Sequence, residues 1–178
     1  MKIKNCLFLL GAAMAVMSSS AFADTTGTQT FTANVTADTC TIANLQQAVD
    51  LGNVLKADYA SLGDWTVPVN ISLVSVNFDV TGCGNNITKV NVTPTFTAES
   101  LARFVKNSGT AAGVAFDTAK KSNSDYDSKR IWENGKTRTF TLTNGAVQVP
   151  VIGTLSKNNK AVTAGTLDFQ MTFAFDFV

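Results

Sequence analysis

The chain has 178 residues, 14 basic against 13 acidic side chains, and no histidine. That balance provides no basic stripe for a nucleic-acid backbone, and the missing imidazole removes the usual general base and the commonest catalytic metal ligand. The length suits one domain of sandwich size.

Taken in chain order, the first signal is a leader. Lys2 and Lys4 precede an uncharged apolar run from Cys6 to Met17, and Ala21-Phe22-Ala23 has the small-x-small form of a cleavage site. Residues 1–23 read as a secretory signal peptide, too short in its apolar part to span a bilayer. Cys6 opens the apolar run instead of following it, so it is not a lipoprotein cysteine. No later segment reads as a membrane helix. Without Lys2 and Lys4, 12 basic residues face 13 acidic ones, a charge of about −1.

Residues 28–36 alternate, with Phe31, Ala33 and Val35 on one face and threonine and asparagine on the other. Gln29 shares the apolar parity and is the odd member. Cys40 and Cys83 remain after cleavage, and in an oxidising compartment an even pair reads as a disulfide. A loop of that size implies about 4 kcal/mol of chain-entropy stabilisation. The competing reading, a metal or redox pair, lacks a C-x-x-C motif and any histidine. Val67 to Val80 reads as one long strand with a parity switch at Leu73-Val74, the mark of a bulge or a change of sheet. Val90, Val92 and Phe96 continue the pattern, and Pro94 argues for an edge or a break. Ala98 to Val105 reads as a short helical turn. Residues 114–119, 137–143 and 147–155 are further strands, the last made irregular by Pro150. Asn134-Gly135 and Asn144-Gly145 are turn signals. The last fourteen residues, from Gly165, place Leu167, Phe169, Met171, Phe173, Phe175 and Phe177 at period two, so one face of a final strand is strongly apolar. With nothing after it, its edge is expected to be bare, and bare apolar edges pair with other chains. The isolated chain is therefore expected to aggregate, self-polymerise or unfold easily. The fold class is all-β, a sandwich of short strands.

The chemistry of catalysis is absent from the motifs: there is no G-x-S-x-G, P-loop or paired-cysteine signature. The chain is not expected to be an enzyme, to bind a metal or to need a cofactor. Asp125 and Asp127 lie in a polar stretch that reads as a solvated loop, with a weak cation site as the alternative. Lys120-Lys121 and Lys129-Arg130 read as solvated loop charges. Sequons at Asn34, Asn70, Asn86 and Asn91 carry meaning only in a eukaryotic secretory pathway. Trp65 and Trp132 could stack on a sugar, but in a sandwich they more often pack the core.

In this order the motifs resemble those of pilin subunits of chaperone–usher fimbriae, in the broad type 1 group, over nearly all of the mature chain. Phe31-x-Ala33-x-Val35 before Cys40 is similar to that family's donor segment, although Ala33 stands where glycine is usual. Val49-Asp50-Leu51-Gly52-Asn53-Val54 is similar to its stretch after the first cysteine. Phe78-Asp79-Val80-Thr81-Gly82-Cys83 resembles the strand that ends in the second cysteine. Gly165, the alternating apolar residues after it and the penultimate Phe177 resemble the chaperone-recognition motif, where tyrosine is commoner than phenylalanine.

The resemblance implies an incomplete immunoglobulin-like sandwich that lacks its final strand and is completed by a donor strand. It implies a signal peptide at 1–23, a donor extension at 24–37 and a pilin domain at 38–178. Gln29, Phe31, Ala33 and Val35 would be the donor face, with about 3–6 kcal/mol from burying Phe31 and Val35 before ordering costs. Ala33 would pass a tight point. Gly165, Leu167, Phe169, Met171, Phe173, Phe175 and Phe177 would form the strand beside the acceptor groove. The implied partners are a periplasmic chaperone, an outer-membrane usher and neighbouring subunits, by strand addition. The implied place is a fimbrium on the bacterial surface, reached through the periplasm, and the implied role is a structural subunit contributing to adhesion. The alternative is a subunit that itself binds a host receptor, through residues 98–132.

Overall fold

Alternating sequence, not helical periodicity, dominates the architecture. The computed structural model describes residues 25–35, 40–69, 73–119 and 131–178. The expected signal peptide, both lysine-containing pairs, Asp125, Asp127 and Asn70 lie outside these residues, and of Ala33 and Val35 only the backbone is described.

The described residues form ten strands: β1 (Thr25–Val35), β2 (Thr41–Ala43), β3 (Gln46–Val54), β4 (Val74–Thr81), β5 (Lys89–Thr95), β6 (Phe104–Lys106), β7 (Val114–Asp117), β8 (Arg138–Thr141), β9 (Val147–Lys157) and β10 (Leu167–Phe177). They build two five-stranded sheets, ordered β3-β1-β10-β5-β8 and β2-β4-β9-β7-β6. The inner faces meet in one apolar core. Phe78 of the second sheet packs against Phe173 and Phe175 of the first, with centroids 5.2 and 5.4 Å apart. Trp132 meets Phe173 edge-on at 5.2 Å. Such tilted and edge-on aromatic pairs contribute about 0.5–1.5 kcal/mol each beyond area burial.

Two strands carry prolines, and local edges explain why. Pro150 pairs with Asn77 of β4, but β7 joins β9 only from Thr154 onward. The missing N–H of Pro150 therefore costs no ladder bond, and its carbonyl accepts from Trp132 Nε1 at 3.0 Å. Pro94 likewise lies beyond the β5–β8 ladder, which ends at Val92. The Asn144-Gly145 turn has φ of 52° and 71°, and Thr143 and Ala146 exchange both backbone hydrogen bonds. Positive φ at both central residues is the type I′ geometry that asparagine and glycine favour.

Two expectations change here, and one short element is new. The long strand from Val67 begins only at Val74. Val67 is buried but Val69 is 95% exposed, and before them Trp65 has left-handed φ (61°) while residues 65–66 bond to Lys157 at the end of β9. Pro68 removes a donor between the two valines. The helical turn expected at Ala98–Val105 is a tight β-connection: Ala98 bridges Val105, and Glu99 N–H donates to Phe104 C=O at 2.8 Å. Backbone pairing outcompetes helix propensity there. The short 3-10 helix at Lys56–Tyr59 carried no periodic signal, being four residues long.

A disulfide joins Cys40 and Cys83 with Cα atoms 4.3 Å apart. It links the start of β2's segment to the end of β4's, strands that also pair through Ile42 and Val80.

Candidate functional site

The apolar face of β10 is deep in the core. Leu167, Phe169, Met171, Phe173 and Phe175 are buried, and Phe177 is partly exposed at the strand's end. The edge of β10 is not bare. On one side β5 pairs antiparallel with Thr172–Phe177. On the other, β1 of the same chain runs parallel from Gly27↔Leu167 to Val35↔Phe175. This corrects the expectation of an unpaired edge. The isolated chain closes its own sandwich, so the structure gives no reason for the ready aggregation expected from the sequence.

β1 fills a slot with two walls. Its other edge pairs antiparallel with β3, including Gln29↔Val49 and Phe31↔Gln47. Without β1, β3 and β10 would each expose a full row of backbone donors and acceptors. β3 is thus half of the site, and the signal for it was the Val49 to Val54 motif. Phe31 is wholly buried, with its ring 6.2 Å from that of Phe173. On the opposite face Thr32 Oγ1 and Thr172 Oγ1 are 2.9 Å apart. Ala33 stands in register with Phe173, and Val35 with Phe175.

Gly165 stands just before β10, and its role is local. A Cβ there would run into the backbone of Ala111 and Thr110. The loop at 107–111 is stitched to the start of β10: Asp168 N–H donates to Asn107 Oδ1 at 2.7 Å, and Ser108 Oγ donates to Asp168 Oδ2 at 2.7 Å. This loop covers the edge of β10 that β5 does not reach. Any side chain at 165 would push it away.

The tryptophans follow their packing reading. Trp132 is wholly buried, and Trp65 packs on Phe104 at 4.4 Å. Among the described residues no His, Cys, Asp or Glu cluster could hold a metal. No helix among them is long and apolar enough to cross a membrane. Of the segment considered for a receptor, residues 120–130 are outside the described part.

Two facing sheets, with one slot of the first filled by the N-terminal strand, define an all-β immunoglobulin-like sandwich. The fold is similar to that of the P pilus rod subunit PapA, with a TM-score of 0.60 and 15% sequence identity over 79% of this chain and 100% of that one. No family model and no curated protein matches the sequence. The likeness is one of fold.

Proposed function

We propose that this chain is a structural subunit of a chaperone–usher fimbria that polymerises by donor-strand exchange and so contributes to bacterial adhesion. One observation carries the reading: a strand at the N-terminal end completes the core by sitting between β3 and β10, with Phe31 fully buried. Only four positions separate Val35 from the disulfide-bonded Cys40, so β1 is hung from a fixed point on one side. In a fibre, β1 leaves its own slot and the corresponding strand of a neighbour takes its place, using the same backbone ladder and side-chain seats. Gln29, Phe31, Ala33 and Val35 form the donor face, and Leu167 to Phe177 the acceptor wall that a periplasmic chaperone holds before assembly at an outer-membrane usher. Residues 1–23 take the chain to the periplasm, 24–37 form the donor extension and 38–178 the pilin domain. The likeness to a pilus rod subunit supports this placement on the cell surface.

The test is fibre formation in cells that express the chain with its chaperone and usher. Phe31→Asp would place an unpaired charge in the core and should abolish fibres seen by electron microscopy. Abundant normal fibres from this variant would remove Phe31 from the donor face.

A further inference from the structure

Gln29 shares the inward parity of Phe31 and is likewise fully buried (0% exposed). It stands opposite Val49 on one side and Phe169 on the other. Neither its Nε2 nor its Oε1 meets a hydrogen-bonding partner among the described residues. A primary amide brings two donors and an acceptor with two lone pairs. Burying it unsatisfied is among the costlier things a core position can do. The residue on either side of it at the same parity, Gly27 or Phe31, carries no such cost. The defect therefore falls on the one strand that the proposed function requires to leave.

We propose that Gln29 is a release element: its unpaired amide holds the self-inserted β1 below the stability of an all-apolar strand and so sets how readily the slot opens to the N-terminal segment of a second copy. This rests on the donor-strand reading above. A neighbour's Gln29 in the same seat would carry the same cost, so the effect falls on how readily the resident β1 leaves its place between Val49 and Phe169 and not on which strand finally fills the slot. Phe31 supplies the hold and Gln29 limits it.

The experiment uses the oxidised mature chain, with Gln29→Leu and the volume-matched Gln29→Met, and Gln29→Asn as an amide-retaining control. Two quantities are read. One is the unfolding midpoint of the monomer. The other is the rate at which a fluorescent peptide with the wild-type sequence of residues 25–35 enters the slot. Keeping the peptide wild type confines the change to the self-inserted strand. At least one apolar variant should melt later and take up peptide about tenfold or more slowly, the size of effect expected when a buried unsatisfied amide is removed. The asparagine variant should exchange at least as fast as wild type. If both apolar variants melt no later than wild type, or exchange as fast, Gln29 is not a release element. If the peptide fails to enter even the wild-type chain, the donor-strand reading fails, while the melting comparison still reports on Gln29 alone. Entry that is ready but indifferent to position 29 overturns this inference and leaves the donor-strand reading standing.

Discussion

Phe31 and Phe173, 142 positions apart in sequence, lie with ring centroids 6.2 Å apart across the seam where β1 meets β10. Around Phe173 gather Phe78 of the facing sheet and Trp132. The first strand therefore docks into the most aromatic part of the core. The strand completes the core from within the chain, and its loss would uncover the centre of the sandwich.

That seam makes Phe31→Ala a test of how much β1 contributes to the monomer. Truncating a wholly buried phenylalanine typically costs about 3–5 kcal/mol. Denaturant unfolding of the isolated mature chain should show a loss in that range. A change below about 1 kcal/mol, outside the range for such truncations, would mean that β1 is not seated in solution.

Gly165→Ala should destabilise by about 1–3 kcal/mol, the usual range for forcing a group into a packed position. The new methyl meets backbone at Ala111 and Thr110, and backbone has less freedom to yield than a side-chain tip. Hydrogen exchange should rise at Asp168, whose N–H is held by Asn107. Unchanged stability and protection would show that the loop at 107–111 is not fixed against β10.

Tyr59 gives the fold an alkaline limit. Its hydroxyl is buried with no hydrogen-bond partner among the described residues. Burial, and secondarily the charge of Asp58, raises its pKa above the ordinary 10.0. The folded state thus prefers the neutral phenol. The associated stability is fully present below pH 10 and is lost as pH climbs from there toward the raised folded value, by about 1.4 kcal/mol per pH unit. Tyr59→Phe should leave stability at pH 7 unchanged or slightly higher and should flatten the fall above pH 10. Equal alkaline slopes for the two proteins would show that Tyr59 does not titrate on unfolding.

The sequence made the two strands of the seam legible because each buries one face only, and period two is plain in Phe31-x-Ala33-x-Val35 and in Leu167 to Phe177. The cysteine pair was legible from compartment and count. What alternation does not carry is pairing. Nothing in the residues of β10 says whether its neighbour comes from the same chain or another, and the structure shows β1 in place from within. Local apolar spacing also misled at Val67 and Val69, where Pro68 and the turn at Trp65 break the ladder. At Ala98–Val105, helix-forming residues yield to a backbone bridge between Ala98 and Val105. Gln29 stood out in sequence as the wrong residue for its parity, and burial explains why that oddity matters.

The central claim is that β1 is a movable strand, and a covalent lock tests it most directly. Thr32 and Thr172 face each other on the outer side of the seam, in register and in contact, so Thr32→Cys with Thr172→Cys should form a disulfide without disturbing the core. The locked, oxidised monomer should neither take up a peptide of residues 25–35 nor join fibres, and mild reduction of the added bond should restore both. A locked chain that exchanges or assembles as fast as the reduced one would contradict the account, because β1 would then have no part in joining subunits.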